Sequence, residues 1–82
     1  MMPIDIIIPV FNEERSVGKV IQDLPPSKVR EVVVVNNGSL DASASVANGA
    51  GATVLNEPQK GYGKACLTGI AHLKRKTEPP AT

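Results

Sequence analysis

Two patterns of apolar residues alternate along the chain. Ile4 to Ile8 is a nearly continuous β-branched run, interrupted only by Asp5. Such a run fits a strand covered on both faces, and Pro9, which has no N–H for a ladder, is expected to end it. Val17, Val20, Ile21 and Leu24 then recur at i, i+3, i+4 and i+7, the stripe of an amphipathic helix. Asn12 is its expected N-cap, Glu13 and Glu14 fill its first turn, and Pro25-Pro26 stops it. Val32 to Val35 is a second strand. Asn37-Gly38 is also a hairpin signal, but no alternating strand follows it. Leu40 to Ala50 instead reads as a helix rich in Ala and Ser, capped by Ser39 or Asp41 and ended by Gly49 and Gly51. Ala52 to Leu55 is a short third strand and Asn56 to Gly61 a polar loop. Tyr62 to Lys76 is a third helix, with Cys66, Leu67, Ile70 and Leu73 on its packed side. Residues 77–82 contain Pro79-Pro80 and are expected as a flexible tail beyond a single domain of residues 1–76.

The order β-α-β-α-β-α predicts an α/β fold with a parallel sheet of three strands in the order 3-2-1. Right-handed crossovers place the first two helices on one face, and the third covers the other. This order resembles half of a nucleotide-binding sheet. Ligands of such sheets bind beyond the carboxyl ends of the strands. Asn12 and Glu13 follow the first strand, Asn36-Asn37-Gly38-Ser39 follows the second, and the two polar ends are expected side by side.

Composition narrows the function classes. A net charge of +1 argues against a nucleic-acid grip. Cys66 is the single cysteine, so no internal disulfide forms. No apolar run approaches the roughly 20 residues of a membrane span, and the amino terminus lacks signal-peptide features. The expected compartment is therefore the cytoplasm. The first strand is not followed by G-x-G-x-x-G, a P-loop is absent, and Gly61-Tyr62-Gly63 lacks the third glycine. A nucleotide would have to be held by polar groups at the strand ends, bonded to a base edge and to ribose hydroxyls. Cys66 reads as a small core residue and His72 as a partly exposed helix residue. Neither has a partner that would make it a nucleophile or a metal ligand.

Three stretches, Ile6 to Glu14, Val33 to Asp41 and Lys60 to Ala65, together resemble the amino-terminal half of a family 2 glycosyltransferase. The resemblance covers about residues 4 to 74 and is nearest to the polyprenyl-phosphate and dolichyl-phosphate mannosyl- and glucosyltransferases. It implies a GT-A fold, a nucleotide-diphosphate sugar as donor, Mg²⁺ or Mn²⁺ as cofactor, and inversion at the anomeric centre. A polyprenyl phosphate is one acceptor it suggests, with full-length relatives peripheral to a membrane. By the same resemblance, Pro9 and Phe11 shape the wall against the base, Glu13 accepts from the ribose, and the backbone at Val35 and the side chain of Asn37 read the base edge. Lys60 and Lys64 would offset diphosphate charge. The family commonly has Asp where Asn36 stands, and often where Asn37 stands.

The family's metal-binding Asp-x-Asp lies past the third helix, and no Asp follows Asp41 here. The expectation is a nucleotide-recognition half that is inactive by itself, with no catalytic and no metal-binding residue. Two other readings are a non-catalytic nucleotide-binding module and a truncated-gene remnant that self-associates. The first strand pairs on one side only, so a homodimer through its exposed edge is also expected.

Overall fold

The computed structural model describes residues 4–77. Its elements are β1 (Ile4–Val10), α1 (Val17–Gln22), β2 (Val29–Asn36), α2 (Ser43–Gly49), β3 (Thr53–Asn56) and α3 (Tyr62–Thr77). The three strands form one parallel sheet in the order β1-β2-β3, with β2 central, which is the expected order read from the other edge. The expected tail lies, from residue 78 onward, outside the described residues, and Thr77 is the last residue of α3.

Alternation along the strands explains why their sequences look apolar throughout. Val10, Val34 and Ala52 pack with Val17 and Ile21 of α1 and Ala47 of α2 on one face. Val33 and Val35 pack with Ala65 of α3 on the other, joined by Ile7, Leu55 and Leu73. Both faces of β2 are covered, so Val33, Val34 and Val35 are all fully buried.

β1 does not end at Pro9. It runs on to Val10, whose carbonyl accepts the Asn37 N–H at 2.8 Å. β1 is an edge strand of this sheet, where a residue without an N–H is tolerated. β2 begins earlier than the valine run suggests. Ile4 lies opposite Val29, its N–H donates to the Lys28 carbonyl, and a register shift follows between Ile4 and Asp5. Asp5 is held by Arg30, which donates from both Nε and Nη2 to its carboxylate. That bond, with the charge of Asp5, raises the Arg30 pKa.

α1 starts four residues later than an Asn12 cap requires, at Val17 with Ser16 as its N-cap. Asn12 has φ 54°, the left-handed region that Asn enters more readily than most residues. Residues 13–16 turn instead, and the Glu13 carbonyl accepts from the N–H groups of Ser16 and Val17. α2 likewise starts at Ser43 rather than Leu40, and Leu40 is 94% exposed.

The packed side of α3 is the expected one only in part, with Leu73 against the core. Leu67 and Ile70 are 62% and 46% exposed, while Ala65, Gly69 and Leu73 face the sheet. Small residues bring this helix close. A Cβ at Gly69 would lie 2.6 Å from Cγ2 of Ile7. Among the described residues, no helix is long and apolar enough to cross a membrane.

Candidate functional site

The strand order determines which polar residues meet. Val10, Asn36 and Asn56, the last residues of their strands, are in register across the sheet. Three loops rise from this row: residues 11–16, 37–42 and 57–61. The middle loop grips both neighbours.

Its grip on the first loop is reciprocal. The Ser39 hydroxyl accepts the Asn12 N–H at 2.9 Å, and Asn12 Oδ1 accepts the Leu40 N–H at 2.8 Å. The hydroxyl of Ser43, which is fully buried, accepts the Glu13 N–H at 2.6 Å and donates to Asp41 Oδ1. Asp41 also accepts the N–H groups of Ser43 and Glu14. These bonds, that from the Ser43 hydroxyl first, hold the Asp41 carboxyl below its usual range. Neither Ser39 nor Asp41 is the N-cap of α2. That position is Ala42, without a side-chain cap.

The grip on the third loop is made by Asn37. Its Nδ2 donates to the carbonyls of Glu57 and Gln59, at 2.9 and 2.7 Å, and its Oδ1 accepts the Gly61 N–H at 3.0 Å. This departs from the expectation that the side chain reads a base edge, because both of its N–H groups are engaged within the chain. Asn36 shapes the turn: its Oδ1 accepts the Ser39 N–H and its Nδ2 donates to Asn56 Oδ1.

The remaining expected residues divide by position. Phe11, 50% exposed, and Glu13 lie just past β1. Glu13 Oε2 accepts from the Ser16 hydroxyl at 3.1 Å, and residues 12–16 with Asp41 line a shallow cleft of about 210 Å³. Pro9 and Val35 are paired with each other inside the sheet, one step before the terminal row. Lys60 is exposed on the third loop and Lys64 on the first turn of α3. Glu57 anchors that loop. It accepts the Thr68 hydroxyl and the Gln59 N–H, and these bonds in that order, with a smaller contribution from the charge of Lys64, lower its pKa.

Sequence reasoning missed Ser43, Glu57 and the true role of Asn12. The one available signal was the alternation Ser39-x-Asp41-x-Ser43, which places three acceptors along one short loop. A larger recess of about 570 Å³ opens at the opposite, amino-terminal end of the strands. There Glu31 accepts from the Thr53 hydroxyl at 2.9 Å and lies 3.2 Å from His72 Nε2. This cluster ties α3 to β2 and β3 and is remote from the terminal row.

The described residues do not fit a divalent metal. Asn36 and Asn37 are neutral amides with their N–H groups engaged, the carboxylate of Asp41 is turned onto Ser43 and Glu14, and no group of three His, Cys, Asp or Glu converges.

Known proteins resemble the chain in sequence and in fold. The chain is 43% identical over 61 residues to protein RfbJ of Shigella flexneri, covering 73% of this chain and 47% of that protein. It is 40% identical over 74 residues to 4,4'-diaponeurosporenoate glycosyltransferase of Staphylococcus aureus, covering 82% of this chain and 20% of that one. Among solved structures, glucosyl-3-phosphoglycerate synthase of Mycobacterium tuberculosis, in complex with Mn²⁺, UDP and glucosyl-3-phosphoglycerate, superposes with a TM-score of 0.77 at 27% identity. That match covers 87% of this chain and 29% of the synthase. The chain thus spans less than half the length of these relatives, and its fold is the GT-A fold of glycosyltransferases. The model of glycosyl transferase family 2 matches residues 5–76, and the chain belongs to that family.

Proposed function

We propose that residues 4–77 form the nucleotide-facing part of an inverting sugar transferase that takes its sugar from a nucleoside-diphosphate donor, in the cytoplasm. The observation that carries this reading is the position of half-exposed Phe11 and exposed Glu13 at the carboxyl end of β1, on the same end of the sheet as the exposed Lys60, whose loop follows β3 on the far side of the middle loop. An aromatic face suits a base, a carboxylate suits ribose hydroxyls, and an ammonium suits a diphosphate. Pro9 supports the wall below Phe11. Val35 lies inside the ladder, so its contribution is to fix the turn at Asn36 and Asn37 rather than to touch the base. The solved neighbour's complex with UDP favours uridine as the first base to test. The metal and the base for the acceptor are not assigned to any residue described here.

Titration of the ¹⁵N-labelled chain with UDP is expected to move the amide signals of Phe11, Glu13 and Gly61, with a dissociation constant of about a millimolar, equivalent to roughly 4 kcal/mol. With UDP-glucose and Mg²⁺ the sugar should remain attached. An unmoved spectrum at several times that concentration would sink the nucleotide reading. Donor hydrolysis abolished by Glu13→Ala would refute the assignment of the chemistry elsewhere.

The proposed assembly is a two-fold dimer through the free edge of β1. Residues 4–8 are apolar except for Asp5, and Arg30 already compensates that charge. An uninterrupted strand edge of this kind recruits another strand. Light scattering should report twice the 8.6 kDa chain mass, and Ile6→Lys should return it to the monomer value. A native chain that stays monomeric at millimolar concentration rules the dimer out.

A further inference from the structure

We infer that Asn37 is a positioning residue: its carboxamide holds the loop of residues 57–61 in the shape that receives a diphosphate, and does not read the base. The inference rests on the nucleotide reading above and deepens it. Asn37 is 9% exposed, and its side chain makes three hydrogen bonds to one loop: to the Glu57 carbonyl, the Gln59 carbonyl and the Gly61 N–H. These partners fix the orientation of the amide, since reversing it would set Oδ1 against two carbonyl oxygens. Among the described residues, the loop's other ties run within it and to its two flanks. At the start, the Glu57 N–H donates to the Asn36 carbonyl and its carboxylate accepts from Gln59 and Thr68. At the finish, the Gly61 carbonyl accepts the Ala65 N–H and so joins the first turn of α3. Pro58, Gln59 and Lys60 lie between, and the bond from Asn37 to Gln59 sets their path. Gly61 has φ 129°, a conformation that side chains disfavour, so the loop is built for one shape at this point.

The two roles make opposite demands on one atom. A base-reading residue at this position needs an acceptor for a ring N–H, and aspartate supplies one at least as well as asparagine. A loop clasp needs two N–H donors. A carboxylate has none and would face the Glu57 and Gln59 carbonyls with a negative charge. Asn37→Asp therefore separates them. The comparison uses the full 82-residue chain, with UDP and uridine as probes and amide spectra as the readout.

For Asn37→Asp, the Glu57 to Gly61 signals should move before any ligand is added. UDP affinity should fall about tenfold, from the loss of two hydrogen bonds, while uridine affinity is unchanged. Equal or tighter UDP binding with those signals unmoved would overturn the inference, as would a parallel loss for uridine. Gly61→Ala strains the same loop from its far end and leaves Asn37 intact. It should reproduce the UDP loss, and it decides the matter if Asn37→Asp does not fold: unchanged UDP binding in Gly61→Ala then overturns the clasp. A native chain that ignores UDP removes the functional reading and this inference together. Native binding with an indifferent Asn37→Asp removes this inference alone.

Discussion

Gly69→Val is expected to destabilise the chain by about 3 kcal/mol, the upper end of what overpacking costs in a tight core. The first atom of any side chain at Gly69 would lie 2.6 Å from Ile7 Cγ2 and 3.2 Å from both Cγ1 and Cδ1. Cγ2 is bonded directly to the Ile7 Cβ and cannot swing aside like the tip of a long chain. Relief requires α3 to lift from β1, which opens the contacts of Ala65 and Leu73 with the sheet. Gly69→Ala should cost less, about 1 kcal/mol, because the better helix propensity of alanine, about 1 kcal/mol, opposes the clash. Gly63, in the same helix, is the control: nothing lies within 4 Å of its added Cβ. Gly63→Ala should be neutral or stabilising. Urea melts of the three variants check the series, at about 4–8 °C of equivalent thermal shift per kcal/mol for a domain of this size. Equal midpoints for Gly69→Ala and Gly63→Ala would show that α3 does not sit this close to β1.

The same helix shows what a periodicity argument misses. The spacing of apolar residues puts Cys66, Leu67, Ile70 and Leu73 on the packed side of α3, yet Leu67 and Ile70 are 62% and 46% exposed and Ala65 and Gly69 face the sheet with Leu73. Hydrophobic size predicts burial only when helix and sheet stand at an ordinary distance, and a glycine over Ile7 shortens it. The strands were legible for the opposite reason. Val33, Val34 and Val35 have layers on both sides, so their sequence carries the pattern without help from distant residues. Helix starts were the least legible. Asn12, Ser39 and Asp41 are good capping residues in isolation, but the fold uses them between loops about 30 residues apart, as in the bond from the Glu13 N–H to Ser43. The candidate site follows the same division. Its place at the strand ends came from topology, while the role of Asn37 depends on carbonyls at Glu57 and Gln59, whose backbone no sequence pattern locates.

Ser43→Ala is expected to loosen the first loop and to make the chain less sensitive to acid. The Ser43 hydroxyl is the partner of the Glu13 N–H and a donor to Asp41. Its removal leaves a partly buried N–H unmatched, at a cost of about 1–3 kcal/mol. It also removes the largest cause of the lowered Asp41 pKa. A lowered carboxyl pKa in the folded state contributes stability above the unfolded value, near 3.9, and that contribution is lost as pH falls through the folded value. The native chain should therefore lose stability to Asp41 protonation below about pH 4, and Ser43→Ala should lose less over the same interval. The gap between the two proteins is widest at neutral pH and narrows in acid. Carboxyl carbon signals should show Asp41 titrating at higher pH in the variant. The Glu13 amide should exchange with solvent faster at every pH, because its acceptor is gone whatever the charge on Asp41. Ser43→Thr keeps the hydroxyl and should restore both signals. If the Glu13 amide exchanges alike in Ser43→Ala and the native chain, the buried serine does not set the position of Glu13, and the two loops are held together by the bonds of Ser39, Asn12 and Asp41 instead.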